Sequence, residues 1–272
     1  MGCVLYGREG YHALFLRPIA ELLGCRYMAL EYLELYRAFL RGGGVFYVEE
    51  PWLWSRPTKA PLPAFRLPPQ ARWMQGRMYP LLGNVHLFFT DGRFNTASEV
   101  SCGRVGLLAK WGEPLVTDFF LPLYLEIGDV EKTLRVAKSF FRCGLPQSRD
   151  ELVEGVKKGR YVAGYIWLAW AAGLDVELKS YPTLGRAVSG FWGLTDLEGE
   201  VSAYAHPPPY PDVAGRWRRF IEMATPIRGP GWMNFVVEAH DVLKRYLLGE
   251  VGEEVAVKIL SRVGEALRSL AP

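Results

Sequence analysis

The chain has 272 residues, half of them apolar, and a formal charge of +3. It can therefore bury a large core, as one large domain or as two lobes of ordinary size. So small a positive excess, spread among alternating acidic and basic residues, does not imply nucleic acid. No run approaches the ~20 apolar residues of a membrane span, and no basic stretch, apolar core and cleavage site of a secretion signal follows Met1. The expectation is a soluble cytoplasmic protein with no membrane partner.

In chain order, residues 3–6 read as a short apolar strand, followed by a Gly7-Arg8-Glu9-Gly10 turn. A helix over 11–23 carries Leu14, Phe15, Ile19, Leu22 and Leu23 at helical spacing and ends at Gly24. Pro18 inside it predicts a kink or a later start. Residues 26–30 read as a strand, 31–40 as an amphipathic helix, and 45–48 as a buried parallel strand, apolar on both faces. Residues 3–50 are thus β-α-β-α-β with short, right-handed connections. From 51 to 80 the prolines exclude regular structure. Trp52, Trp54 and Trp73 in the same stretch demand burial, so an ordered, extended excursion is expected.

A strand over 85–89 ends at Thr90-Asp91-Gly92, and a second unit begins near Arg104. It holds a strand over 105–109, a helix started by Pro114, and a stretch over 130–141 that reads as either strand or helix. A helix over 148–158 carries the capping box of Ser148 and Glu151. Residues 160–167 read as a buried strand, and 176–179 as another. Residues 185–211 are rich in Gly, Pro and aromatics, and helices are expected over 213–223, 236–248 and 250–270.

Cys3, Cys25, Cys102 and Cys143 form no CxxC pair and have no His at ligand spacing, so no metal site and no cofactor is expected. Free core thiols are the ordinary reading. The scarcity of Asn and Gln suits a thermophile, and intracellular disulfides occur in such organisms, which leaves a Cys3–Cys25 bridge open.

Two passages match in pattern. One helix ends in Leu40-Arg41-Gly42 and leads to Val45-Phe46-Tyr47-Val48; another ends in Lys157-Lys158-Gly159 and leads to Gly164-Tyr165-Ile166. This layout resembles the type II periplasmic-binding-protein fold over nearly the whole chain. The resemblance implies an α/β protein of two β-α-β lobes with a cleft and C-terminal helices. Lobe one would be residues 1–95 plus 185–272, and lobe two 96–184. Without a secretion signal, the resemblance points to cytosolic members such as chorismate dehydratases of menaquinone synthesis or thiamine-pyrimidine synthases, although no catalytic residue matches either.

Ligands of open α/β sheets sit at the carboxyl ends of strands. The loop Tyr6, Arg8, Glu9, Tyr11 and His12 is therefore the first candidate, with Arg8 as a forked anchor for an anion between glycines that admit close approach. Glu49 follows the third strand and can accept from a ligand hydroxyl or amine. Asp91, Arg93 and Asn95 follow the strand at 85–89, where Asp-Gly also signals a turn. Trp167 offers a stacking wall or a core side chain. His12, His86, His206 and His240 are scattered, with no triad order or nucleophile elbow.

Three readings follow. The first is a binder of a small planar anion, or an enzyme on that scaffold. The second is a nucleotide- or sugar-nucleotide-dependent transferase with Rossmann-like halves. The third is a nucleic-acid or protein interaction module using residues such as Arg216, Arg218 and Arg219. The sequence fixes neither a catalytic residue nor an oligomeric state.

Overall fold

The structure, a computed structural model, describes residues 2–63, 69–171, 173–185, 187–198, 224 and 229–268. They fall into two compact units, one within Met1–Gly83 and Gly190–Ala214, the other within Asn84–Ser189 and Gly215–Pro272. The expected helix over 213–223, with its arginines, lies outside the described residues.

In the first unit, β1 (Val4–Arg8), α1 (Tyr11–Leu22), β2 (Arg26–Leu30), α2 (Tyr32–Arg41) and β3 (Val45–Glu49) alternate as expected. β1 pairs in parallel with β2, Val4 opposite Arg26, and with β3, Leu5 opposite Val45. α1 runs through Pro18. It ends where Gly24, at φ 65°, turns the chain left-handed, and the Cys25 N–H reaches the Ala20 carbonyl at 2.8 Å. Cys25 is bonded to Cys3, joining the starts of β1 and β2. α2 buries Tyr32, Leu35, Tyr36, Ala38 and Phe39 along one stripe.

Of the tryptophans expected to be buried in the proline-rich excursion, Trp52 is, whereas Trp54 is exposed and Trp73 half-buried. Two 3-10 turns, Glu50–Trp54 and Pro69–Met74, interrupt the excursion. Trp52 is buried against Tyr32, Tyr36 and Phe39 at ring distances of 5.3, 5.1 and 5.7 Å. Trp54 stacks on Trp73 at 4.9 Å.

β4 (Tyr79–Thr90) and β8 (Val188–Thr195) run from one unit into the other. β4 is longer than its apolar run suggested. β8 falls in the stretch read as Gly/Pro/aromatic-rich, where no strand was expected. It pairs antiparallel with β3, Glu49 opposite Trp192, so β3 has a neighbour on both sides and is buried throughout. A Cβ at Gly193 would lie 2.2 Å from the Tyr79 carbonyl oxygen. The glycines that weakened the strand signal are what let the backbone pass there.

In the second unit, β4 pairs antiparallel with β6 (Ala163–Trp167), His86 opposite Trp167 and Thr90 opposite Ala163, and with β7 (Glu177–Lys179). β5 (Val105–Gly106) pairs in parallel with β6 and is shorter than the expected 105–109. A π-helical turn, Leu115–Phe120, leads into α3 (Leu121–Ile127). The ambiguous stretch is a helix, α4 (Val130–Arg142), because the Asp129 carboxylate caps it by accepting the Lys132 N–H at 2.8 Å. α5 (Arg149–Lys157) starts at the predicted box: Ser148 Oγ accepts the Glu151 N–H at 3.1 Å, and Glu151 accepts the Gln147 N–H at 2.9 Å. α6 (Leu168–Ala171) follows β6. The C-terminal part forms α7 (Trp232–Leu248), α8 (Glu253–Leu260) and α9 (Val263–Arg268).

Two expectations are corrected. The C-terminal helices, set with lobe one, belong to the second unit: α7 packs on α4 and the π-helical turn, and α8 on α4. Their apolar stripes, including Val236, Leu243, Ala256 and Leu260, are buried there. The cysteines are not free. Cys102–Cys143 is a second bridge, with Cα atoms 5.7 Å apart, tying the segment before β5 to the end of α4.

Candidate functional site

In the first unit, the parallel strands β1 and β3 bring Arg8 and Glu49 to the same carboxyl edge. An Arg8 guanidinium N–H donates to Glu49 Oε1 at 3.2 Å, and the Trp192 indole N–H reaches the same oxygen at 2.9 Å. The Tyr32 hydroxyl donates to Oε2 at 3.0 Å and accepts the Trp52 indole N–H at 3.2 Å. The Arg8 guanidinium also lies 4.8 Å from the Tyr32 ring centroid. Glu49 is only 3% exposed; it is a buried acceptor, not a solvated strand end. Glu50, beside it, is buried as well.

The rest of the candidate loop divides. His12 Nδ1 is 3.1 Å from the Tyr47 hydroxyl. Tyr6 stacks on Phe46 at 5.0 Å, over the face that packs α2. Glu9 is exposed. Tyr11 opens α1, and its side chain lies outside the described residues. The Tyr27 hydroxyl donates to the Arg8 carbonyl at 2.6 Å and fixes the loop's entry; burial, against the opposing charge of Arg17, pushes its phenol up to about 12.

In the second unit, Trp167 is buried, and its indole N–H donates to Asp118 Oδ1 at 3.1 Å. The Thr117 hydroxyl donates to the same oxygen at 3.2 Å. Asp118 and Thr117 stand in the π-helical turn, a form that recurs at functional sites. Trp167 lies 4.7 Å from His86, which hydrogen-bonds Tyr181; Tyr181 stacks on Tyr165 at 4.8 Å. The Tyr165 hydroxyl donates to Glu126 at 2.8 Å. Glu126 also accepts the Ala97 and Ser98 N–H groups at 2.8 and 2.9 Å. Burial first, then the Glu126 charge, raises the Tyr165 phenol well above its ordinary value.

Asp91, Arg93 and Asn95 are not brought to Trp167. The Asp91 N–H bonds the Val162 carbonyl at 2.9 Å, five residues along β6 from Trp167, or about 17 Å away. There they build a turn. Arg93 donates to Asp91 at 2.9 Å, and Glu99 accepts the Asn95 N–H at 3.0 Å. The hydrogen bond from Arg93 holds the Asp91 carboxyl below its ordinary value.

Sequence reasoning missed Tyr32, Trp52, Trp192, Asp118 and Glu126. A usable signal existed for two of them: Asp118 and Glu126 are lone carboxylates inside apolar runs, and such residues are buried only with partners. Among the described residues, no group of three or more His, Cys, Asp or Glu could hold a metal, and no helix is long and apolar enough to cross a membrane.

No protein-family model and no curated protein matches the sequence. Solved structures are similar in fold. A maltose-bound MalE3 of T. maritima is similar at TM-score 0.65 and 14% identity, over 97% of this chain and 99% of that one. An ABC transporter solute-binding protein of Agrobacterium vitis with bound D-mannitol gives 0.65 and 11%, over 97% of each chain. The GacH receptor of Streptomyces glaucescens, solved unliganded and with acarbose, gives 0.60 and 14%, over 99% of each. The fold is therefore the two-lobed α/β fold of type II periplasmic-binding proteins. The expected cytoplasmic location is corrected on the same finding. The similar proteins serve ABC transporters from outside the cytoplasm, and a fully bridged set of cysteines suits an oxidising compartment.

Proposed function

We propose that the chain is a solute-binding protein that takes a neutral, polyhydroxylated small molecule at the carboxyl edge of β1 and β3. The observation that carries this is the buried Glu49 carboxylate, held by Arg8 and Trp192 and flanked by Tyr32 and Trp52. A carboxylate accepts from sugar hydroxyls, and the half-buried Arg8 guanidinium beside it can donate to them. Pairing with Glu49 offsets the Arg8 charge, which favours an uncharged ligand over an anion. The similar proteins' bound maltose, D-mannitol and acarbose support the same class.

A small planar anion on Arg8 is the second reading. It is favoured by the guanidinium side chain's 22% exposure and by the Tyr32 ring beside it. Titration calorimetry with maltose, D-mannitol and benzoate separates the two. The polyol reading expects heat with maltose or D-mannitol, and at least about tenfold weaker binding in Trp192→Ala. Binding of benzoate alone, lost about ten- to hundredfold in Arg8→Ala, overturns it in favour of the anion. No heat with any of the three overturns both.

A further inference from the structure

We propose that the face of the second unit built from α4, α7 and Lys110-Trp111 docks on an anionic lipid surface. Trp111 is 39% exposed. Its ring lies 5.5 Å from Phe141 of α4 and 5.4 Å from the Lys244 ammonium of α7. The Lys138 ammonium sits 4.4 Å over Tyr246. Lys138 and Arg142 are one turn apart on α4, so they share a face with Phe141. On α7, Val237, Lys244 and Leu248 recur at helical spacing, and both apolar members are exposed.

The face keeps a net positive charge, although each of its two arginine clusters holds one carboxylate more than its guanidinium offsets. Glu131 and Glu253 pair with Arg135, and Asp241 and Glu250 with Arg245. Lys110, Lys138, Arg142 and Lys244 have no carboxylate partner among the described residues. Lys244 lies at the exposed indole, Lys110 precedes it in the chain, and Lys138 and Arg142 flank Phe141 on α4; together they complement a negative surface.

The apolar members decide which negative surface. An exposed indole at the Lys244 stem, with Val237 and Leu248 exposed on the same α7 stripe, matches a bilayer interface, where the rings and methyls enter the headgroup boundary and the ammonium groups stay with the phosphates. A nucleic-acid backbone offers the charge without that apolar layer.

The test is co-sedimentation with vesicles of phosphatidylcholine alone, or mixed with phosphatidylglycerol. The wild type should pellet only with the mixed vesicles, and less so as salt rises. A double variant, Lys138→Gln with Lys244→Gln, should partition about thirtyfold more weakly. Trp111→Ala should lose the binding that survives at high salt. Unchanged far-ultraviolet circular dichroism shows that the variants are folded. Wild type left in the supernatant, or equal pelleting of the double variant, overturns the proposal, as does retention of double-stranded DNA without vesicle binding.

Discussion

The two units use the same pairing to opposite depths. Each holds an arginine with a carboxylate near the end of a strand. In the first, Arg8 reaches Glu49 across 41 residues of sequence, and the carboxylate is almost fully buried. In the second, Arg93 reaches Asp91 two residues away, with 61% of its side chain in solvent. A buried carboxylate of the second unit, Asp118, instead takes an indole N–H from Trp167, as Glu49 takes one from Trp192. A salt bridge made by neighbours in a turn shapes the turn. One assembled from β1 and β3 exists only if the sheet forms, and it stands where the sheet leaves its edge.

The comparison can be broken or sharpened by substitution, from the largest expected effect to the smallest. Each unit is stapled once, over 22 and 41 residues. Replacing both members with serine should cost about 3.4 kcal/mol for Cys3 and Cys25, and about 3.9 kcal/mol for Cys102 and Cys143. Urea unfolding of both double variants measures this, and the reverse order would show that chain entropy does not set the ranking.

Glu49→Ala should cost about 3 kcal/mol, because it removes an acceptor shared by a guanidinium, a phenol and an indole. Asp118→Ala, which removes an acceptor from an indole and a hydroxyl, should cost about 2 kcal/mol. Equal losses in denaturant titrations would mean that the guanidinium adds nothing.

The Tyr165 phenol has a raised folded-state value, so the native state keeps a proton that the unfolded chain loses near pH 10. Its contribution is fully present below that pH and is lost as pH rises towards the folded value. Thermal melts from pH 8 upward should fall more steeply for the wild type than for Tyr165→Phe.

Asp91→Asn is the smallest. The depressed Asp91 value means that its contribution is present above about pH 4 and fades as pH falls through the folded value. An exposed pair contributes little, so Tm at neutral pH should move by no more than about 1–2 °C. A larger drop would make the turn more than a connection.

The same contrast explains what the sequence could tell. The β-α-β-α-β run over residues 3–50 was legible because its signals are local: apolar spacing in α2, Gly24 after α1, an all-apolar β3. The Ser148 box and the buried Trp52 were legible for the same reason, although Trp54 stayed exposed. The site was legible only in part. Arg8 and Glu49 could each be suspected from their places at strand ends. Their meeting depends on the parallel register of β1 and β3, and Trp192 arrives on a strand hidden by glycines. Asp91, Arg93 and Asn95 looked like a site because they follow a strand, but β4 and β6 run antiparallel and carry them to the end away from Trp167.

The pairing of β3 with β8 also sets a timetable. Trp192 leaves the ribosome 143 residues after Glu49, about 7–30 s later at ordinary rates of synthesis. Until then, the outer edge of β3 has unpaired backbone groups, an open template for another strand. The N-terminal unit, normally the first to settle in a growing chain, is here completed by a segment made after most of the second unit, and the hazard of strand pairing between nascent chains falls in that interval.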